Sequence, residues 1–443
     1  MSILVRNGTL VTMDRPGAFR GDLLIERNRI PGLGDLRGTP ETEHVIDATD
    51  CLVIPGLIQT HVHLAQTLFR GMAEDLSLLD WLSRRIWPLE AAMDREAMRA
   101  SAELGMAEML LGGTTGILDF GSPVHQDIIL DSMAAMGVRG RSGMIMMDLD
   151  AGAPDGLIRD TRECLAESER FIRHLRGVDL LGYMVTPRFP LSCSEELLAG
   201  SRELASRYGV GIQTHASENR DEVEAVRKRS GLSDLELLDR CGVLGPDLVL
   251  AHCIWLDDGG LMRLRDSGTS VAHCPGSNMK LGSGIARIAD MVAAGINVTL
   301  GSDGAACGNG LNMFNEMRGA ALLQKVACLD PEAIPAGNAL AMATVNGAAA
   351  MGLTGELGIL KVGALADLAV VSRRRPGGRP VTGYGDPHSD LVHALGASDV
   401  THTVVDGRIM VESGELVATD AGAVMNRADD AARRVIQRSG IFE

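Results

Sequence analysis

Eight compact apolar runs punctuate the chain, at residues 52–60, 115–120, 143–149, 180–185, 210–214, 248–251, 269–272 and 297–300. Longer stretches separate them, and several of these, such as 95–111 and 195–208, carry apolar residues at the helical period. Strand and helix alternating eight times is the pattern of a closed parallel α/β barrel of the (β/α)8, or TIM, type. The ends read differently. Residues 1–51 hold short apolar runs (3–5, 10–13, 23–25) broken by Gly and Pro, and 355–418 repeats this with 363–371, 403–411 and the turn Asp406-Gly407. These are strand-and-turn signals without helices. We therefore expect residues 1–54 and 355–420 to form one small composite β-sandwich, 55–354 to form the barrel, and 421–443 a C-terminal helix, periodic over 421–437. The stretch 373–380, rich in Pro, Gly and Arg, reads as a surface loop.

Charge narrows the partners. The 42 Lys and Arg face 58 Asp and Glu, giving −16, whereas a nucleic-acid groove needs clustered cations and an anionic membrane surface attracts them. Apolar residues make up 45% of 443, enough for a large core and too many for a disordered chain. No apolar run approaches the ~18 residues of a membrane span, and the first residues lack the apolar stretch and cleavage site of a secretory leader. The eight cysteines are scattered and never form Cys-x-x-Cys, so they read as reduced residues of a cytoplasmic protein.

Polar residues gather where the apolar runs end, which in a barrel is the catalytic face. The first run ends His61-Val62-His63. Residues two apart on a strand face the same way, so both imidazoles can reach one metal. The fifth run ends in His215, followed by Ala216-Ser217-Glu218; the sixth ends at His252, and the eighth leads to Asp303. Imidazoles with one carboxylate suit a borderline divalent cation such as zinc, with ferrous iron as the alternative. The expected ligands are His61, His63, His215 and Asp303, with His252 either a fifth ligand or a group beside the metal. His273, after the seventh run, is expected to be structural. No lysine precedes Lys228, so none can be carboxylated to bridge two cations on the first five strands, and one metal is expected. Such a cation acidifies bound water toward ~7. A carboxylate at Glu218 can then carry the proton to a leaving group; the alternative for Glu218 is a solvated acid at a helix start.

These residues resemble the amidohydrolase superfamily, and within it the metal-dependent aminohydrolases of purines and related heterocycles. The resemblance runs from Pro55-Gly56-Leu57-Ile58-Gln59-Thr60-His61-Val62-His63 to Gly363-Ala364-Leu365-Ala366-Asp367-Leu368. It implies a barrel with a composite β-sandwich, His61, His63, His215 and Asp303 on the metal, Glu218 as proton shuttle and His252 beside the metal. It also implies a small heterocyclic amine as substrate and pairing into dimers. Val185-Thr186-Pro187-Arg188-Phe189 and Ser217-Glu218-Asn219-Arg220-Asp221-Glu222 are similar to guanine deaminases, in which the residues matching Gln66 and Arg188 hold the purine. An amide can pair with a ring nitrogen and its exocyclic amine, and Arg can donate to a carbonyl. Leu68-Phe69-Arg70-Gly71-Met72-Ala73-Glu74-Asp75 and the segment after Asp303 resemble instead the methylthioadenosine/S-adenosylhomocysteine deaminases and triazine hydrolases. Trp81 and Glu90 match pocket positions in both groups. The expectation is hydrolytic deamination of an oxo- and amino-substituted purine, guanine first. The alternatives are an adenosine-type nucleoside, a pterin or a triazine, and a barrel that binds without catalysis.

Overall fold

The computed structural model describes residues 1–38, 42–374 and 385–442. Most of the expected loop at 373–380 lies outside these. The N-terminal strands are Ser2–Leu10 (β1), Phe19–Glu26 (β2), Arg29–Gly34 (β3), His44–Asp47 (β4) and Cys51–Pro55 (β5). The barrel strands are Leu57–His63 (β6), Thr114–Ser122 (β7), Arg139–Met146 (β8), Leu181–Pro187 (β9), Gly211–Ala216 (β10), Leu248–His252 (β11), Ser270–His273 (β12), Val298–Leu300 (β13) and Asp303–Gly304 (β14). Four more follow: Leu368–Ser372 (β15), Val400–Val405 (β16), Arg408–Glu412 (β17) and Glu415–Leu416 (β18).

Both ends of the chain join in one sheet of order β18-β17-β16-β15-β5-β1-β2-β3, with β4 against β1. Its own core holds Ile3, Val5, Leu23, Ile25, Val53, Leu368, Val370 and Val404. Asp406 and Gly407, both at positive φ, make the expected hairpin turn between β16 and β17.

The remaining strands are parallel, from β6 round to β13. The eighth staves are β13 and β14 together: β13 pairs with β12, and β14 pairs with β6 through Asp303 and Val62. The ring is therefore closed. Helices cover it, as in Arg95–Leu111, which begins on an N-cap bond from the Ala97 amide to Asp94 and buries Met98, Met106 and Met109. With aromatics at 3%, methionine fills space that rings usually take. The C-terminal helix, Ala421–Ser439, lays Val424, Ala428, Ala431 and Val435 onto this layer at helical spacing.

Two details depart from the reading of the sequence. The run 52–60 is two strands in two sheets. Gly56 is the only residue between β5 and β6, and a Cβ there would sit 2.0 Å from Thr115 Oγ1. The third run, expected at 143–149, is a strand that starts at Arg139. This cation is buried because its guanidinium forks onto Asp367 at 3.0 Å through two nitrogens and also donates to Asp406 at 2.8 Å. The cluster joins a barrel strand to the terminal sheet. Arg139→Ala would strand Asp367, which is fully buried. A loss of about 3–5 kcal/mol is expected, measurable as a lower midpoint in denaturant.

Candidate metal centre

His61 and His63 project side by side from β6, His215 from β10, His252 from the last residue of β11, and Asp303 from β14. All five are buried. His61 Nε2 lies 3.4 Å and His63 Nε2 3.3 Å from Asp303 Oδ1, and His63 Nε2 is 3.3 Å from His215 Nε2. One donor atom each from His61, His215, His252 and Asp303 falls within 4.8 Å of the others, a grouping able to hold a metal ion. Phe120 seals one side, its ring 4.3 Å from that of His215. The backbone is shaped for the purpose: Ser217, His252, Cys253 and Asp303 all have positive φ, an uncommon state for residues with a side chain that clusters at functional sites. Gly301 lets β13 pass close to β6, since a Cβ there would lie 2.5 Å from the His61 carbonyl.

The imidazole tautomers follow from their outer partners. His215 Nδ1 lies 2.7 Å from the Arg188 carbonyl, which can only accept, so this nitrogen carries the proton. His252 Nδ1 faces Asn278 Oδ1 at 2.9 Å. His61 Nδ1 faces Gln213 Oε1 at 3.4 Å, and the Gln213 amide nitrogen is tied to the Thr60 carbonyl at 2.6 Å. In all three rings Nε2 is left with its lone pair turned inward. The Nε2 atoms of His61 and His252 have no hydrogen-bond donor to meet. Converging lone pairs beside a carboxylate repel one another unless a cation sits among them, so the residues fit a divalent metal. Burial lowers the basicity of His63, His215 and His252, keeping these rings neutral as ligands must be. Ser277 donates to Asp303 Oδ2 at 2.7 Å. Gln213→Ala should release the His61 ring and weaken metal binding by about 10–100-fold, checked by competition with a chromophoric chelator.

Glu218 lies just beyond, with Oε2 3.5 Å from His252 Nε2. Its carboxyl is raised to about 8, by burial first and then by the charge of Asp303. A pocket opens beside it, lined by His63, Gln66, Trp81, Arg188, His215, Glu218 and Asp303 among others. Glu90 stands behind, receiving the Gln66 amide at 2.9 Å and Arg188 at 3.0 Å. Gln66 Oε1, Trp81 Nε1 and His63 Nδ1 have no partner among the described residues, so the pocket region keeps polar atoms that are not yet used. Gly304 leaves room for Gln66, whose Oε1 would be 2.3 Å from a Cβ there. His273 is buried with both ring nitrogens unpartnered, and burial drives its basicity down to about 3.

Every residue singled out in the sequence thus falls at this face of the barrel or directly behind it. Gln213, Asn278 and Ser277, which fix the ligands, were not singled out. Each is a single polar residue near a strand end, with no spacing to set it apart.

Comparison with known proteins agrees with this picture. Residues 52–410 match the description "Amidohydrolase family". The chain is 40% identical over 422 residues to a 5'-deoxyadenosine deaminase of Methanothermobacter thermautotrophicus, covering 95% of this chain and 96% of that one. It is 40% identical over 411 residues to a 5-methylthioadenosine/S-adenosylhomocysteine deaminase of Thermococcus kodakarensis, covering 93% and 94%. Among solved structures, a zinc-bound adenosine deaminase from Xanthomonas campestris superposes with TM-score 0.91 at 28% identity over 98% of each chain. The E. coli guanine deaminase gives 0.82 at 26%, over 93% of this chain and 98% of that one. Closed barrel, composite terminal sheet, converging imidazoles and near full-length likeness all agree: the chain belongs to the amidohydrolase family.

Proposed function

We propose that this protein is a metal-dependent aminohydrolase that deaminates an adenosine-type nucleoside, with 5'-deoxyadenosine and its 5'-thio-substituted relatives as the substrate class. The observation that carries this is the 40% identity, along nearly the whole chain, to enzymes named for those nucleosides. Guanine, expected first from the blocks around Arg188 and Glu218, becomes the second reading, because the guanine deaminase likeness is only 26%. One observation still favours it: Gln66 and Arg188 both line the cavity.

In this reading His61, His63, His215 and Asp303 hold one divalent ion, zinc before ferrous iron, with His252 at its edge. The ion, when bound, supplies Lewis acidity that makes water nucleophilic near neutral pH. His252 Nε2 and Asp303 Oδ2, 3.8 Å apart, orient that water toward the amine-bearing ring carbon. Glu218 takes one proton from that water and gives it to the adjacent ring nitrogen, then takes the second from the resulting hydroxyl and gives it to the departing amine. Water's oxygen becomes the carbonyl and ammonia leaves. Gln66 and Trp81 offer their free polar atoms to the ring.

Ammonia release from 5'-deoxyadenosine, methylthioadenosine, S-adenosylhomocysteine and guanine tests the reading. The nucleosides are expected to be turned over with the higher kcat/KM. Guanine as the best substrate, with that activity lost in Arg188→Ala, would reverse the order of the two readings.

A further inference from the structure

The segment that carries Glu218 is held from beneath by two acids that the chemistry above does not use. Asp234, the first residue of the helix Asp234–Arg240, accepts the Ser217 amide on Oδ2 at 2.6 Å, with the Ser217 hydroxyl 3.4 Å away. Glu222, in the first turn of the helix Arg220–Ser230, accepts the Glu218 amide at 3.0 Å and the Asn219 amide at 3.2 Å, both on Oε2. An ordinary capping box would account for the Asn219 bond alone. The two carboxyls grip the amides of consecutive residues, Ser217 and Glu218, and so stand side by side beneath one turn, and both are fully buried. Their other oxygens, Glu222 Oε1 and Asp234 Oδ1, find no further donor. No ion pair to either is present among the described residues. Arg229, whose charge bears on Asp234, spends its guanidinium on the carbonyls of Pro190, Leu191 and Cys193.

Two touching carboxyls buried without a cation cannot both be ionised. We infer that Glu222 and Asp234 form a carboxyl pair joined by one shared proton, and that this pair positions Glu218 by gripping the backbone amides on either side of it. The proton bridges Glu222 Oε1 and Asp234 Oδ1, leaving both Oε2 and Oδ2 free to accept. Burial pushes both carboxyls toward the protonated form, in keeping with a retained proton. Glu222 and Asp234 are positioning residues: neither touches the cavity, and they act through the φ +54° turn at Ser217. The assignment rests on the reading of Glu218 as the proton carrier.

A shared proton has a signature that simple packing lacks. An amide in place of either acid brings its own hydrogens and reproduces the bridge. Amides at both positions set two NH2 groups against each other while the backbone still demands two acceptors. Glu222→Gln and Asp234→Asn should each keep kcat within about threefold of wild type, whereas the double variant should lose about 100-fold in kcat with KM within about threefold. Metal content should stay at the wild-type value in all three. Deuterium uptake at the amides of residues 217–219, followed by mass spectrometry of the holoenzyme, should rise only in the double variant. A loss above about 30-fold in either single variant, or a double variant no worse than the singles, overturns the shared proton. If the double variant does not fold, Glu222→Ala takes its place: lower kcat at unchanged KM supports the pair, and unchanged kcat overturns it. The exchange measurement needs no substrate, so it judges the pair even if Glu218→Gln shows the proton carrier to be another group.

Discussion

Exchanging Glu218 for Gln is expected to lower kcat by about 10²- to 10⁴-fold, the range that a positioned proton carrier contributes. Gln keeps the shape and can still accept from Ser283 Oγ, 3.5 Å away, but it cannot shuttle a proton. KM should move by no more than about threefold, because the change touches a step made in the transition state rather than in substrate binding. The metal should remain bound at wild-type stoichiometry, since the imidazoles and Asp303 are untouched. Steady-state kinetics beside elemental analysis decide the matter. A variant that retains wild-type kcat would remove Glu218 from the chemistry, and one that loses the metal would make it a ligand instead.

Stripping the cation with a chelator is expected to abolish turnover and to lower the thermal midpoint by about 4 °C. A ligand present at 1,000 times its Kd stabilises the folded state by about 4 kcal/mol, and in a chain of 443 residues each kcal/mol moves the midpoint by roughly 1 °C. The physical cause is the inward lone pairs on His61, His215 and His252, which repel one another once the cation is gone. His215→Ala should behave as the stripped protein and resist rescue, whereas added zinc should restore the wild type. Full activity after exhaustive chelation, with no metal detected, would sink the assignment of the centre. So would a stripped protein whose midpoint is unchanged.

Much of this architecture was readable from residue order, for reasons that can be named. The helices Arg95–Leu111 and Glu195–Tyr208 stand where the apolar period placed them, because each turns an apolar stripe to the barrel; the second faces water on its other side, while the C-terminal helix covers much of the first. The candidate metal donors were visible because strand ends in a barrel share one face, so residues far apart in sequence must meet. Boundaries failed where burial is achieved by charge pairing rather than by apolar side chains. Arg139 opens its strand only because Asp367 and Asp406 neutralise it, and those partners lie more than two hundred residues away. The break between β5 and β6 was invisible for a related reason: an unbroken apolar run does not record which sheet each half joins. The supports of the site were hidden as well. Asn278, Gln213 and the Glu222–Asp234 pair act through isolated polar contacts, and isolated contacts leave no periodicity. Substrate choice was the weakest inference, since Gln66, Arg188, Trp81 and Glu90 each suit more than one heterocycle.

The seam of the ring has an implication for how the protein matures. Asp303 sits on the short strand that laces the last stave to the first, beside the two histidines of β6. A ribosome must therefore have delivered about two-thirds of the polypeptide before the cation can find its full set of donors. Early-emerging histidines cannot trap the ion with native geometry, and capture of the ion becomes a timestamp for completed assembly.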